Sequence, residues 1–508
     1  MYLGILNPIV AQPLKVHPPG YAVASAHPLA TNAGLEVLAS GGNAFDAAVA
    51  VAATLAVVEP YHSGLGGGGF WLIHDEKNQK NLFIDARERA PKAASRDMFL
   101  TPDGTVVPGL SLNGALAAAI PGQPAALVYI AKKYGRLPLT TTLAPAIKLA
   151  KEGFALDYQF RHFLTMGDRL EQLKKFPASA AIFLNKGRPY AIGESFIQKD
   201  LASTLTVLAQ QGHEGFYSGD VAKRLVNGVR SAGGIWTLDD LAQYQVTLRE
   251  PLVGAFHNLL IITAPPPSGG GVALLTMLNI LSHYPLSTMP KVPWLHYVIE
   301  SMRLAYWQLD QFLGDPDFIS IPVDSLISAD NAKRLYSLIS TDKAIDSKVL
   351  QGPASLPKNN NTTHISIIDA EGNRVSATMT INYIFGSSLV AEGTGVLLND
   401  EMDDFSTKTG VPNVFGIVGS DKNAIAPGKR PLSFMTPTFL ELPGRVAVLG
   451  TPGGSRIPTM ALLASLIFHE GYGAISMVSA PRFHHQYLPD VVQFEPDTFP
   501  PAIQESLK

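Results

Sequence analysis

The stretch Asn361-Thr362-Thr363-His364-Ile365-Ser366-Ile367-Ile368-Asp369 decides how the rest of the chain is read. A polar Asn/Thr run passes into alternating β-branched residues, the pattern of a strand with one buried face. The polar residues 358–360 just before it read as an exposed loop. Asp369-Ala370-Glu371-Gly372-Asn373 reads as a hairpin with a three-residue loop, with Gly372 where a positive φ is needed. That loop pairs Asp369 with Asn373 and, counting back, Thr362 with Thr380. Thr362, His364 and Ser366 then share a face with Ser376, Thr378, Thr380 and Asn382. Ile365, Ile367, Val375, Ala377, Met379 and Ile381 fill the other face, and Ile368 is the exception. A slip of one residue would scramble both faces.

The chain has 508 residues, room for several domains or one large layered body. Its net charge of −3 suggests neither a nucleic-acid surface nor electrostatic membrane binding. There is no cysteine, so disulfides, zinc–thiolate sites and a cysteine nucleophile are excluded. Residues 1–12 carry a short apolar run without a basic start, which is not a convincing signal peptide. The longest apolar run, residues 47–58, is too short to span a bilayer, so no membrane span is expected.

Residues 30–60 read as two helices hinged at Gly41-Gly42, the second almost wholly buried. The run Gly64-Leu65-Gly66-Gly67-Gly68-Gly69 formally fits a dinucleotide fingerprint. However, a helix precedes it and a strand follows, the reverse of what that fingerprint needs, so a crowded turn is the better reading. Strands are expected at 70–74, 81–86, 249–263 and 445–449, and a strand ending in an acidic turn at 396–405. Helical patterns cover 122–154, 198–217, 294–312 and 458–468, and Ser268 is a plausible cap for the apolar helix that follows it. Residues 324–357 should wrap the surface and deliver the chain to Asn361, while 409–420 reads as a flap.

No H-E-x-x-H, P-loop or G-x-S-x-G signature is present. His484-His485 reads as structural, since neighbours on a regular element point apart. Threonine is a weak nucleophile unless a base stands beside it. An N-terminal threonine brings its own base, the free α-amine. Such a residue has to be released by cutting the bond before it, here Asn361–Thr362, which the Thr362 hydroxyl could itself attack. By itself Asn-Thr-Thr-His is an ordinary strand start, and a cross-strand Thr–Thr pair is ordinary sheet chemistry.

Several further motifs change that balance: Ser63-Gly64-Leu65-Gly66-Gly67-Gly68-Gly69, Asp85-Ala86-Arg87-Glu88, Thr362-Thr363-His364, Met402-Asp403-Asp404-Phe405 and Thr451-Pro452-Gly453-Gly454-Ser455-Arg456. In this order, over residues 22–489, the chain resembles the γ-glutamyltranspeptidase (glutathione hydrolase) family of N-terminal-nucleophile (Ntn) hydrolases. The resemblance implies an α+β fold, an αββα sandwich of two stacked sheets flanked by helices. A large subunit, residues 1–361, and a small one, 362–508, would build it jointly as a heterodimer after self-cleavage. It implies Thr362 as self-processing residue and acyl acceptor, with Thr380 bonded to it. Gly453 and Gly454 would offer backbone N–H groups to the oxyanion. Arg87 and Ser433 would hold the substrate α-carboxylate, and Asn382, Glu401 and Asp404 the α-ammonium. The expected reaction passes a γ-glutamyl group from glutathione or a similar amide to water, an amino acid or a peptide, with no metal or organic cofactor. Export to a periplasm or beyond is likewise implied by the family alone.

Two departures stand out. Where the family usually has paired serines, this chain has Ser433-Phe434. Losing a hydrogen bond to a charged carboxylate costs about 1.5–3 kcal/mol, so either a backbone N–H compensates or the pocket favours another acyl group. The chain also stops at Lys508, several dozen residues before its relatives. Two alternatives therefore accompany the main expectation: an Ntn acylase for another side chain (glutaryl β-lactam type), and an unprocessed non-catalytic homologue.

Overall fold

The computed structural model describes residues 18–347, 361–496 and 498–507. The stretches 1–12, 358–360 and the end of 324–357, given a reading above, lie outside these. Ten strands make the two principal sheets: β1 (Ala22–Ala24), β2 (Gly68–Asp75), β3 (Lys80–Ala86), β4 (Thr247–Arg249), β5 (Leu252–Phe256), β6 (Leu259–Thr263), β7 (Thr363–Ile368), β8 (Arg374–Thr380), β9 (Thr438–Leu442) and β10 (Arg445–Leu449). The first sheet has the order β1-β7-β8-β2-β3-β4 and the second β10-β9-β6-β5, antiparallel throughout.

The β7–β8 hairpin has the expected register: Ile368 faces Arg374, and Thr363 faces Met379. Gly372 closes the loop at φ +101°, and the Asp369 amide donates to the Asn373 carbonyl. The apolar face packs as expected. Ile365, Ile367, Val375, Ala377 and Met379 join the core built by helix α2 (Ala44–Val58), which follows α1 (Pro28–Ala39). Every residue of α2 is buried. Its alanines let it lie close to the sheet, and Asn43 with Asp46 forms a capping box at its start.

The hydroxyl face departs from the half-buried reading. It looks into the sandwich, not into water, and β8 is buried at every position. Ser376 Oγ donates to the Leu449 carbonyl (2.8 Å) and accepts from the Thr438 amide (3.1 Å). Polar groups so enclosed must satisfy one another. Beside them Phe70, Leu72 and Phe83 of the first sheet meet Ile262 and Phe439 of the second. The outer face of the second sheet is covered by α3 (Gly270–Leu281), α4 (Lys291–Phe312) and α5 (Ile457–His469). The layers are thus helix, sheet, sheet, helix.

Three expectations need correction. Residues 122–154 form three helices, Gln123–Tyr134, Leu139–Thr142 and Ala144–Glu152, broken first at Gly135 and Pro138. Residues 249–263 are three strands: Pro251 lets the chain leave the first sheet for the second, and His257, at φ +53°, turns β5 into β6. Residues 396–405 make only isolated bridges before a 3₁₀ turn, Glu401–Asp404. The glycine run behaves as the crowded turn: a Cβ on Gly66 or Gly67 would strike the carbonyl of Leu397 or Thr380. Among the described residues no helix is long and apolar enough to cross a membrane.

Candidate active site

The entry to β7 is strained. Thr362 has φ +95°, a region a β-branched residue adopts at a cost of about 1–3 kcal/mol. Its Oγ1 donates to Thr380 Oγ1 at 3.1 Å, and Thr380 Oγ1 also accepts from the Asn382 amide at 2.9 Å. Across from it the chain turns from β10 into α5 through Gly453 (φ +138°) and Gly454 (φ +57°), angles that favour glycine. The Gly453 amide donates to the Asn361 carbonyl at 3.1 Å. The carbonyl preceding the Thr362 hydroxyl therefore already rests on a backbone N–H. His364 hydrogen-bonds with Thr378 and Ser366 through its two nitrogens. Burial pushes it down to about 3, so it is a neutral packing group.

Arg87 leaves the end of β3, where Asp85 accepts its amide (2.9 Å) and is itself paired with Arg249 (2.8 Å). The guanidinium is 1% exposed. It bonds Glu401, Asp404 (2.5 Å), the Leu432 carbonyl (2.6 Å) and the Pro431 carbonyl (3.2 Å). The acids arrive on the 3₁₀ turn because Asn399 anchors it: its side chain accepts from the Glu401 amide (2.9 Å) and donates to the Gly66 carbonyl (2.7 Å). Glu88, Asp400 and Asp403 are buried in the same region. Desolvation raises all five carboxyls, Glu88 to about 7 and Asp403 to about 6, and holds Asp400 and Glu401 well above the usual range. Arg87 opposes that rise at Glu88, Glu401 and Asp404.

Eight of the ten residues singled out by sequence line one cavity of about 430 Å³: Arg87, Thr362, Thr380, Asn382, Glu401, Asp404, Ser433 and Gly454. The other two, Asn361 and Gly453, bond to each other. Within the cavity Asn382 uses its amide nitrogen on the Asp400 carbonyl (3.0 Å), and Ser433 Oγ accepts from the Met435 amide (3.2 Å).

The expected flap folds over the cavity, with Phe415 and Ile417 in its wall. Asn413, which sequence reasoning missed, ties it down. Its side chain donates to Asp404 (3.1 Å) and accepts from the Phe415 and Ile417 amides (3.0 and 3.1 Å). A Pro-Asn-x-x-Gly sequence is the turn signal that could have revealed it. His484 and His485 engage Thr459, Gln486 and Asp490.

A second unforeseen group is Glu59, which ends α2 and accepts a hydrogen bond from Thr363 at 3.2 Å. Burial lifts it from 4.5 to about 7. The folded chain thus holds a proton there that the unfolded chain has lost, and stability falls as pH rises through that window. Glu59→Gln keeps the acceptor without the charge. In a Thr362→Ala background its stability should match the parent near pH 4 and exceed it by about 3 kcal/mol at pH 8, at about 1.4 kcal/mol per pH unit. Thermal melts at both pH values check this, and equal stability at pH 8 would mean the carboxyl ionises there without cost.

Residues 30–508 match the Gamma-glutamyltranspeptidase family. The glutathione hydrolase proenzyme of Pseudomonas sp. (strain A14) is 43% identical over 490 residues, spanning 96% of this chain and 85% of that protein. That of Escherichia coli (strain K12) is 40% identical over 486 residues, spanning 94% and 83%. Among solved structures, cephalosporin acylase from Bacillus halodurans superposes with a TM-score of 0.83 at 27% identity, covering 100% of this chain and 90% of its own. Helicobacter pylori γ-glutamyltranspeptidase gives 0.63 at 41% identity, covering 67% and 97%. The αββα sandwich is accordingly the Ntn-hydrolase fold, and the chain belongs to the γ-glutamyltranspeptidase family of enzymes.

Proposed function

We propose that the chain is a proenzyme that cuts its own Asn361–Thr362 bond and then hydrolyses or transfers γ-glutamyl groups from glutathione and related amides. The observation that carries this reading is the shared cavity of Thr362, Thr380 and Gly454 with Arg87, Glu401, Asp404 and Ser433. In maturation the Thr362 hydroxyl adds to the Asn361 carbonyl, whose oxygen accepts from Gly453 N–H. The C–N bond breaks to leave an ester, and water hydrolyses it to an Asn361 carboxylate and a free Thr362 amine. Fragments 1–361 and 362–508 would stay together, because β7 and β8 lie between β1 and β2 in one sheet.

In turnover the new amine takes the hydroxyl proton as Thr362 attacks the γ-carbonyl. The backbone N–H groups of Gly453 and Gly454 receive the developing oxyanion. The leaving amine takes the proton, and water or an acceptor amine then releases the γ-glutamyl ester. Arg87 and Ser433 take the α-carboxylate, while Asn382, Glu401 and Asp404 take the α-ammonium. Arg87 is held by two of those acids, so substrate binding exchanges partners within one charge cluster.

Asp404→Ala tests the assignment. Loss of one bond to a charged group, about 1.5–3 kcal/mol, should lower kcat/KM for γ-glutamyl-p-nitroanilide by about 10- to 100-fold. Turnover of glutaryl-p-nitroanilide, which lacks the ammonium, should barely change. An equal fall for both would remove the ammonium from the acid's role. The second reading, an acylase for a glutaryl-type side chain, is favoured by Phe434 in the cavity wall. A wild-type preference for the glutaryl anilide would select it.

A further inference from the structure

Self-cleavage by the route proposed above ends with a water opening an ester at the Asn361 carbonyl carbon, and the fold encloses that carbon. Asn361 is 1% exposed, and its carbonyl oxygen accepts from the Gly453 amide at 3.1 Å. A water consumed there has to be held in the interior by polar groups free to hold it. Buried waters sit where protein donors and acceptors have no other partner, typically with about three hydrogen bonds each.

Most polar side chains around the scissile bond are already engaged. Thr362 Oγ1 donates to Thr380 Oγ1 (3.1 Å), which also accepts from the Asn382 amide (2.9 Å). Thr363 Oγ1 donates to Glu59 (3.2 Å), and the two ring nitrogens of His364 meet Thr378 and Ser366. The exception is Asn361 itself. Its Oδ1 and Nδ2 are both buried without a hydrogen-bond partner among the described residues. An unpaired carboxamide in the interior is costly, whereas an apolar side chain would fill the same space at no such cost. The carboxamide also hangs from the same Cα as the carbonyl to be attacked, so a water bonded to it lies within reach of that carbon.

We infer that the Asn361 carboxamide holds and aims the water that hydrolyses the ester during self-cleavage. Asn361 is then a positioning residue for maturation, acting after the acyl shift and before release. Oδ1 accepts one proton of the water, and the Thr362 amine freed by the shift takes the other as the water oxygen bonds to the Asn361 carbon. The bond from that carbon to Thr362 Oγ1 breaks, and the amine passes its proton to Oγ1. The new carboxyl then ionises. The inference rests on the self-cleavage reading above.

The test is a time course of intact mass on freshly expressed chain. Asn361→Ala removes a donor and an acceptor, and should slow cutting by about 10- to 100-fold. Neutral hydroxylamine is a nucleophile that needs no such holder. It should restore cutting of the alanine variant and leave the large fragment as a hydroxamate, heavier than the carboxylate by one NH. A merely structural asparagine gives no such rescue. Asn361→Gln keeps both polar groups and should be cut faster than the alanine variant. If thermal melts show that the alanine chain does not fold, Asn361→Val, which fills more of the space, carries the same comparison. Cutting of the apolar variant at the wild-type rate would overturn the inference. So would an uncut apolar variant indifferent to hydroxylamine, since the loss would then lie in the acyl shift. Either result leaves self-cleavage by the wild type standing. An uncut wild type would overturn both readings, as would a wild-type large fragment lighter than the carboxylate by one water, the imide formed if the carboxamide nitrogen attacked instead.

Discussion

Thr362→Ala is expected to remain one 54.3 kDa chain and to release no p-nitroaniline from γ-glutamyl-p-nitroanilide. The hydroxyl is asked to do two things, attack the Asn361 carbonyl and later attack the substrate. Alanine can do neither. Removing a nucleophile from a concerted catalytic unit costs on the order of 10⁶ in kcat. Here the loss is compounded, because the uncut chain never gains the α-amine that serves as base. Thr362→Ser separates chemistry from shape: it keeps the hydroxyl, so it should mature and turn over, with rates altered by the missing methyl. Intact mass and anilide release on the three proteins settle the point. Two fragments in the alanine variant, or turnover by its uncut chain, would end the nucleophile assignment.

Much of this arrangement was legible in residues 361–382 because the information there is local. Gly372 fixes the loop, alternation fixes the faces, and Thr362 then falls opposite Thr380 by counting. What covers the hydroxyl face was not legible. Ser376 reads as solvent-facing until β9 and β10, some 60 residues on, supply its partners. Arg87 and Asp404 are 317 positions apart, and no periodicity joins them. Family resemblance brought them into one site. Even that resemblance assigns the arginine and the acids to two different groups on the substrate's α-carbon, whereas here they pair with one another. Asn413 and Glu59 were missed for a related reason. A lone Asn in a turn and a lone Glu after an apolar helix are ordinary surface residues until the chain folds over them.

Gly453→Ala should slow maturation and turnover together, each by about 10²- to 10³-fold, the effect of losing one oxyanion donor. An alanine cannot hold φ +138° without strain, and its Cβ would lie 2.5 Å from Met460 Cε. Relaxing that strain rotates the peptide and turns the N–H away from the Asn361 oxygen it now meets at 3.1 Å. Both reactions begin from the same hydroxyl, so their carbonyls must approach the same side of Thr362 and meet the same donor. Thr362 and Thr380 are untouched, and the cavity still binds substrate, so KM should move far less than kcat. A time course of intact mass from fresh expression measures the first rate, and anilide turnover by the fraction already cut measures the second. Cleavage at the wild-type rate beside impaired turnover would mean that self-cutting and acyl transfer use different oxyanion sites, and the contact between Gly453 and Asn361 would lose its proposed meaning.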